Sequence, residues 1–569
     1  MRQPEVFTAI RRCAWLLVAL LVSWGTAGAA AVERGAVASA SPAATAVGLA
    51  ILRDGGNAAD AAVAMALALA VVMPQAGNLG GGGFAVTRFA SEVRTLDFRE
   101  TAPAAATRDM YLDGQGEPRP GASLVGPLAA GVPGSPAGLH ALHEALGRRP
   151  WAAVVAPAIA LARDGFTVDA RLAQDIGRAA DLLGRFPETA ALWLPDGRPP
   201  AVGTRMRLPA LAATLAAYAA QGPAAITAGP IAAAIERAAQ RHGGVLRASD
   251  LAAYRPVWRA PVRFAAFGWE VASMPLPSSG GIILGQTCGL LGRRSWATHP
   301  IGGVERRHLL VEAWRRAFAD RVLLGDPATT GADAADLLAE GWLARRAAEI
   351  DPVRATPSAE VATWSPAAAA ESRETTHLSV IDGDGHAVAL TTTLNGSFGC
   401  GLAVPEAGFL LNNEMDDFAT APGRPNLYGL IQGEANAVGP GKRMLSSMSP
   451  TIAWRGEEVI AVGSPGGSRI PTATLQVLLA LIVDGATPAE AVARPRVHHQ
   501  WRPDVLYAEP EALSPAVAEG LARRGHAIQP VDSLGEVQLV RRLADGTLEA
   551  AADPRHPGAA EILQAGGGR

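Results

Sequence analysis

Polar and apolar residues alternate along the chain from Thr375 to Val380, which is the two-residue period of a β-strand. The Asp-Gly-Asp-Gly sequence at 382–385 has the composition of a tight turn. A second run, rich in β-branched residues, follows at 386–394. The pattern predicts a β-hairpin in which Thr375 occupies the first position of the first strand.

Helical patterns dominate the chain before this hairpin. Asn57 precedes a nearly all-apolar run at 58–73, which predicts a capped, buried helix. The run at 308–325 has the pattern of a long amphipathic helix, whereas 356–373 has little periodicity and is predicted to be poorly ordered. Further helices are predicted over 43–52, 135–146, 156–163, 211–220 and 230–241.

The composition is that of a globular protein with a large core. Apolar residues make up 49% of the 569 positions, charged residues make up 18%, and the net charge is −3. This balance argues against a surface built for nucleic acid or for an anionic membrane. Cys13 lies in a predicted leader, so Cys288 and Cys400 leave room for one disulfide at most, and whether it forms stays open.

The N-terminus has the layout of a secretory signal peptide. Two arginines at 11–12 precede an apolar stretch at 13–22, and small residues follow at 27–31. We expect residues 1–31 to be removed and the protein to be exported, to the periplasm or outside the cell. The alternative is an uncleaved anchor, although the apolar stretch is short for a membrane span.

Thr375 has two interpretations. Threonine is common in strands, so an ordinary structural role is the simpler one. In the other, the Glu374–Thr375 bond is cut, and Thr375 then carries both a hydroxyl nucleophile and a free α-amine. An α-amine has a pKa of about 8 and can act as the general base for that hydroxyl. The local pattern does not choose between them.

Other chemical patterns are equally open when read locally. The glycine run at 80–83 lacks the lysine of a phosphate-binding loop and is better read as a tight loop feeding a strand. Arg99 ends a predicted strand and fits either a surface charge or a carboxylate clamp. The three carboxylates within 414–417 lack the spacing of a calcium loop.

Two pairs of neighbours late in the chain have their own candidate chemistry. Gly466 and Gly467 follow a buried strand and precede a helix, where backbone N–H groups can meet an anion. His498 and His499 suggest a metal, but adjacent residues of a strand point to opposite faces, so we assign them no catalytic role.

Five blocks around Thr375-Thr376-His377 together resemble the γ-glutamyltransferases (γ-glutamyltranspeptidases), which are N-terminal-nucleophile hydrolases. They occur in the family's order, and the resemblance covers nearly everything after Val32. The blocks lie at 97–103, 275–281, 411–418, 445–451 and 463–469.

The resemblance implies an α+β fold, the four-layer αββα sandwich of the N-terminal-nucleophile hydrolases. It also implies self-cleavage between Glu374 and Thr375, giving a large subunit of residues 32–374 and a small subunit of 375–569. The two would stay together as a heterodimer and build the sandwich jointly. No metal or organic cofactor is expected, and no stable membrane span is expected after signal cleavage.

Site residues follow from the same resemblance, each by its place in a matching block. Thr375 would be the nucleophile, positioned by Thr393, and Gly466 and Gly467 would form the oxyanion hole. Thr393, Gly466 and Gly467 are also expected to contact the substrate. Tyr428 matches the tyrosine of the family's lid over the glutamyl pocket. The expected ligands of the α-carboxylate are Arg99, Asn395, Ser446 and Ser447, and those of the α-ammonium are Glu414 and Asp417.

The expected activity is transfer of the γ-glutamyl group of glutathione and related compounds, through an ester on Thr375, to water or to an amino acid or peptide acceptor. Two alternatives stay open. One is a cephalosporin or glutaryl acylase, which shares the fold and the maturation. The other is an exported binding protein that never matures.

Overall fold

The hairpin that begins after Thr375 forms the centre of a seven-stranded antiparallel sheet. The computed structural model describes residues 34–330, 332–361, 375–424, 426, 430 and 432–564. The predicted signal peptide (1–31), Glu374 and Tyr428 lie outside these residues.

The strands are named in chain order. They are β1 (Gly35–Ser39), β2 (Gly82–Phe89), β3 (Glu92–Phe98), β4 (Phe166–Thr167), β5 (Arg205–Met206), β6 (Val257–Arg259), β7 (Val262–Ala266), β8 (Trp269–Ser273), β9 (Thr376–Asp382), β10 (Ala387–Thr393), β11 (Ala403–Val404), β12 (Phe409–Leu410), β13 (Thr451–Arg455), β14 (Glu458–Gly463), β15 (Val497–His498), β16 (Leu506–Ala508), β17 (Ile528–Pro530), β18 (Gln538–Arg542), β19 (Leu548–Ala552) and β20 (Ala559–Leu563).

The α-helices are named in the same way. They are α1 (Pro42–Arg53), α2 (Ala58–Val72), α3 (Ser135–Leu146), α4 (Trp151–Asp164), α5 (Ala170–Arg178), α6 (Ala180–Leu183), α7 (Pro187–Trp193), α8 (Pro209–Gln221), α9 (Ala224–Thr227), α10 (Gly229–Arg241), α11 (Ala248–Ala253), α12 (Gly280–Arg293), α13 (Val304–Asp320), α14 (Ala334–Leu337), α15 (Glu340–Ala348), α16 (Ile470–Ile482), α17 (Pro488–Ala493) and α18 (Pro515–Arg523).

Two large sheets stack face to face. The first has the strand order β20-β1-β9-β10-β2-β3-β6, and the second has the order β19-β18-β14-β13-β8-β7. Alanine and β-branched apolar side chains fill the space between them: Ala38, Ile381 and Ala389 of the first sheet join Ile452 and Ala461 of the second in one buried cluster. Small side chains allow two sheets to approach closely.

Helices cover the outer face of each sheet. Leu390 of the first sheet lies in one core cluster with Leu67 of α2, and Ile460 of the second sheet lies in another with Trp314 of α13. The order of layers is therefore helix, sheet, sheet, helix, which confirms the predicted α+β sandwich. Because both faces of β9 and β10 are covered, every residue of the two strands is buried.

The predicted hairpin and the buried helix after Asn57 are both confirmed. β9 and β10 pair antiparallel. The side chain of Asn57 accepts hydrogen bonds from the N–H groups of Ala59 and Asp60, at 3.0 and 3.1 Å, and so caps α2.

The glycine run at 80–83 belongs to the entry of strand β2, as its interpretation as a loop feeding a strand predicted. These glycines are required by close backbone approach. A Cβ atom at Gly81 would overlap the carbonyl oxygen of Thr393, and one at Gly83 would overlap that of Thr391. The run therefore allows β2 to lie against the end of β10 that meets Thr375.

The long helix predicted at 308–325 runs instead from Val304 to Asp320. The amphipathic pattern predicted one solvent-exposed face, but Arg306 and every residue from His308 to Asp320 are buried. Its polar side is covered by the segment after α15. The carboxylate of Glu312 accepts the N–H and the hydroxyl of Thr356, at 3.2 and 2.7 Å.

The same contacts correct the predicted disorder of 356–373 for the part that is described. Ser358 donates its N–H to Asp504 at 2.7 Å, and its carbonyl accepts the indole N–H of Trp501 at 2.9 Å. Thr356 and Ser358 are therefore held in place by partners distant in sequence, while Pro357, Ala359 and Glu360 are exposed. The remainder of the segment lies outside the described residues.

Cys288 and Cys400 are both buried free thiols, which answers the question of a disulfide between them. Burial raises the pKa of each thiol to about 12. Among the described helices, none combines the length and the apolar character that crossing a membrane requires.

Replacing Gly81 with alanine should destabilise the protein by about 1–3 kcal/mol, the usual range for a side chain forced into a packed site. Gly341 provides a matched control, because a Cβ there meets nothing within 4 Å and the residue is in a helix. Gly341→Ala should stabilise by up to about 1 kcal/mol. Urea unfolding measures both, and equal midpoints for the two variants would contradict the prediction.

Candidate active site

Thr375 lies directly before β9 and is 4% exposed. Its hydroxyl donates to the hydroxyl of Thr393, the last residue of β10, over 3.3 Å. The hydroxyl of Thr393 in turn accepts the N–H of Asn395 at 2.8 Å. The register of the hairpin thus brings the two threonines together at one end of the central sheet.

Asn78 fixes the end of β10 from the side of β2. Its amide group donates to the carbonyl of Thr393 at 2.8 Å and to the hydroxyl of Thr392 at 3.1 Å. Its oxygen accepts the N–H of Gly81 at 2.9 Å and the hydroxyl of Ser135 at 2.8 Å. A fully bonded buried amide of this kind restricts the position of the strand end.

Arg99, directly after β3, is completely buried between two carboxylates. One end of its guanidinium is bonded to Glu414 and the other to Asp417. Its Nε donates to the carbonyl of Met444 at 3.3 Å. Burial alone lowers the pKa of Arg99, but the two carboxylates outweigh it and raise that pKa above the usual value. Burial raises the pKa of Glu414 and of Asp417, and the charge of Arg99 opposes that rise. The site therefore holds a permanent cation bonded to two carboxyl groups.

Ser446 and Ser447 line the pocket that also contains Thr375. The carbonyl of Ser446 accepts the N–H of Ser279 at 2.9 Å, and its hydroxyl accepts the N–H of Met448 at 3.1 Å. The buried hydroxyl of Ser447 has no hydrogen-bond partner among the described residues. Such a hydroxyl is suited to bind a polar group of a ligand.

The turn between β14 and α16 contains the glycine pair. Gly466 has a φ of +124° and Gly467 a φ of +55°, both in the region that favours glycine. This conformation turns the chain sharply into the helix that begins at Ile470. Gly467 reaches the same pocket as Thr375.

One pocket unites nearly all of the residues predicted from the sequence. Only Gly466 of those described is absent from its lining, and it borders an adjoining cleft. Glu374 and Tyr428 fall outside the described residues. The predicted residues that line the pocket are Arg99, Thr375, Thr393, Asn395, Glu414, Asp417, Ser446, Ser447 and Gly467.

Sequence reasoning missed three apolar lining residues, Leu430, Met448 and Ile470. It also missed a buried acid beside Arg99. Glu100 lies 3.7 Å from the Arg99 guanidinium, and burial raises its pKa to about 7. Its position next to Arg99 in the same block was an available signal, as was that of Met448 in the block at 445–451, whereas Leu430 and Ile470 lie outside the blocks.

Three buried histidines, His377, His498 and His499, do not line this pocket. His498 and His499 bond to different partners, Thr472 at 2.7 Å and Asp504 at 3.3 Å respectively. His377 lies buried between the sheets with Thr391 at 2.8 Å. Burial lowers its pKa to about 3, so it stays neutral.

Comparison with known proteins gives a consistent result. The family model for gamma-glutamyltranspeptidase matches residues 44–563. The glutathione hydrolase proenzyme of Escherichia coli (strain K12) is 44% identical over 527 residues, covering 92% of this chain and 90% of that protein. The glutathione hydrolase proenzyme of Pseudomonas aeruginosa (strain PAO1) is 41% identical over 574 residues, covering 99% and 100%.

A solved structure shares the whole architecture. The cephalosporin acylase from Bacillus halodurans superimposes with a TM-score of 0.82 at 27% identity, covering 93% of this chain and 96% of that one. The stacked sheets between helices, shared with that acylase over nearly the whole chain, make the protein an N-terminal-nucleophile hydrolase. Within that class, the chain belongs to the gamma-glutamyltranspeptidase family, as its sequence blocks predicted.

Replacing Arg99 with methionine should lower the free energy of unfolding by about 3–5 kcal/mol, because it leaves buried carboxylates without their cation. Arg94 is the matched control, since it lies on β3, is partly exposed and faces Glu92 at 3.6 Å. Arg94→Met should change stability by less than about 1 kcal/mol. Urea unfolding compares them, and an equally small effect at both positions would refute the assignment of Arg99 as a buried anchor.

Proposed function

We propose that this protein is a self-processing γ-glutamyltransferase and glutathione hydrolase. The observation that carries the proposal is the content of one pocket. The hydroxyl pair of Thr375 and Thr393 forms one side, and the charged group of Arg99, Glu414 and Asp417 forms another. A nucleophile therefore faces charges of both signs, as an α-amino acid substrate requires. Family membership and the curated relatives support the same activity.

Maturation begins with the precursor. The hydroxyl of Thr375 attacks the carbonyl of Glu374, the peptide bond becomes an ester, and water hydrolyses that ester. The products are a large subunit of residues 32–374 and a small subunit of 375–569. Both large sheets contain strands from each subunit, which supports a stable heterodimer. Residues 1–31 are removed as a signal peptide on export to the periplasm or the medium.

In the mature enzyme the α-amine of Thr375 accepts the proton of its own hydroxyl as the oxygen attacks the γ-carbonyl of the donor. The hydroxyl of Thr393 holds the nucleophile in place. Backbone N–H groups of Gly466 and Gly467 stabilise the oxyanion, and each such donor typically contributes about 10²–10³ in rate. Collapse of this intermediate releases the amine and leaves a γ-glutamyl ester on Thr375.

Recognition of the glutamyl end uses the remaining pocket residues. The carboxylates of Glu414 and Asp417 bind the α-ammonium. The guanidinium of Arg99 binds the α-carboxylate of the substrate, together with Asn395 and the hydroxyls of Ser446 and Ser447. Tyr428 closes the pocket as part of a lid. The ester is then resolved by water, or by an amino acid or peptide amine.

Replacing Thr375 with alanine tests maturation and catalysis together. The wild-type protein should run on a denaturing gel as bands of about 35 and 20 kDa, with the smaller starting Thr-Thr-His-Leu-Ser. Thr375→Ala should stay whole and lose about 10³-fold or more of its activity on a γ-glutamyl anilide, since the nucleophile is gone. An uncut, inactive wild-type protein would favour an exported binding protein and overturn the proposal.

Two anilides with the same leaving group separate transferase from acylase. γ-Glutamyl-p-nitroanilide carries an α-ammonium, and glutaryl-p-nitroanilide lacks it. The wild-type enzyme should prefer the glutamyl compound by about tenfold or more in kcat/KM. Only that compound carries an ammonium group that can pair with the carboxylates of Glu414 and Asp417. Asp417→Asn should reduce that preference. Equal or better use of the glutaryl compound would support an acylase instead.

A further inference from the structure

A second cavity lies between three helices and is separate from the pocket of Thr375. Its walls come from α13, α16 and α17 and from the segment 494–496 that follows α17. Of the described residues, none lines both this cavity and the pocket. Its volume is about 100 Å³, on the order of three water volumes. We call it the arginine cavity, because its wall contains Arg306, Arg307, Arg494 and Arg496.

Three of these four arginines have a carboxylate partner inside the protein. Arg306 and Arg494 both form ion pairs with Asp484, and Arg496 forms one with the buried Asp553. Among the described residues of the wall, Asp484 is the only acidic one. The wall of the arginine cavity therefore carries more positive than negative charge.

Arg307 is the fourth arginine, and it pairs with no carboxylate in the described part of the chain. Its guanidinium makes one hydrogen bond there, to the carbonyl of Ala512 at 3.3 Å, and its buried Nε has no acceptor. Burial and the neighbouring cations Arg306 and Arg494 lower the pKa of Arg307 to about 10, so the group is still charged at neutral pH. A partly buried cation without a counter-ion is unfavourable, and an anionic ligand would supply that counter-ion.

The remainder of the wall is largely apolar. Leu310 of α13 and Leu479 and Ala480 of α16 are buried and contribute to it, as does the ring of Trp296. The side chain of Ile301, also in the wall, is exposed to solvent. A ligand that fills the arginine cavity therefore has a charged end and an apolar body.

We propose that the arginine cavity binds a small aliphatic monocarboxylate. The carboxylate of the ligand pairs with the guanidinium of Arg307, and its short hydrocarbon part lies against Leu310 and Leu479. A monoanion matches one uncompensated cation. A phosphate dianion would add a second negative charge and would place oxygens against apolar walls, which is unfavourable.

The ligand would contact segments from both sides of the Glu374–Thr375 bond. α13 precedes that bond in the chain, whereas α16, α17 and the segment 494–496 follow it. Because the assembled walls exist only in the folded protein, binding should stabilise the fold in proportion to the logarithm of ligand concentration. The melting temperature should therefore rise as butyrate is added.

Isothermal titration calorimetry on the purified wild-type protein tests the ligand class at constant ionic strength. Butyrate should bind one site per protein with a Kd of about 1 mM, an affinity that a ligand of so few atoms can reach. Butyramide, inorganic phosphate and chloride should each bind at least about tenfold more weakly. The amide has no charge to pair with Arg307, and the two inorganic ions have no apolar body.

Two variants of Arg307 test the position of the site. Arg307→Gln should weaken butyrate binding about tenfold or more, and Arg307→Lys should weaken it less than about fivefold, because only the lysine keeps the charge. Without ligand, Arg307→Gln should be at least as stable to urea as the wild type, since an uncompensated charge has been removed. Its kcat/KM for γ-glutamyl-p-nitroanilide should stay within about twofold of the wild type, because Arg307 does not line the pocket of Thr375.

Arg185→Gln is the matched control. Arg185 is exposed and lines neither the arginine cavity nor the pocket of Thr375. Its butyrate affinity and its urea midpoint should match those of the wild type. The comparison of the four ligands needs only the wild-type protein, so it decides the ligand class even if a variant does not fold.

The contrary outcomes are distinct. Equal binding of butyramide, or tighter binding of phosphate or chloride, would refute the monocarboxylate, and so would the absence of butyrate binding. Butyrate binding that survives in Arg307→Gln, or that Arg185→Gln also abolishes, would refute the site. Failure of the wild type to release p-nitroaniline would overturn the activity proposed above and would leave the arginine cavity unaffected.

Discussion

A guanidinium buried between two carboxylates is the constraint on which the pocket depends. Arg99 ends a strand of the first sheet, while Glu414 and Asp417 lie more than 300 positions later in the chain. Burial raises the pKa of both carboxyl groups, and the buried cation of Arg99 opposes that shift. Their pairing therefore determines where the segment 414–417 lies, and with it the adjacent Asn413, whose carbonyl accepts the side-chain N–H of Asn395 at 3.0 Å. Charge recognition and the placement of the threonines depend on the same contacts.

Close backbone approach is the second constraint. The glycine run at 80–83 lets β2 and the segment before it lie where any side chain would overlap a carbonyl oxygen. Asn78 then bonds directly to the end of β10. Thr375, the proposed nucleophile, bonds to Thr393, and Thr393 is held by backbone geometry and by this buried amide. The glycine run and Asn78 are closely packed against β10, and this packing restricts movement of the site.

Local sequence patterns were sufficient to predict single helices and strands. They were insufficient to predict which residues of different elements contact one another. The alternation after Thr375 predicted the hairpin because a strand has one period. It did not predict that Arg99 faces Glu414, since nothing local links them; only the resemblance of several blocks placed them in one pocket. The burial of α13 was missed for a similar reason: its covering residues, such as Thr356 and Asp504, come from distant segments. Arg171 and Glu536, 365 positions apart, illustrate the same limit.

The strand order has a consequence for how the two proposed subunits exist in solution. In the first sheet, β9 and β10 lie between β1 and β2, so a cut before Thr375 leaves each piece embedded in the hydrogen-bond ladder of the other. Neither piece retains a complete core alone. Separation is then the same event as unfolding, so the stability of the processed protein depends on the concentration of its chains, as it does for obligate dimers. Breaking one peptide bond would give two chains, but these chains would share one core and would not form an interface between two separately folded subunits.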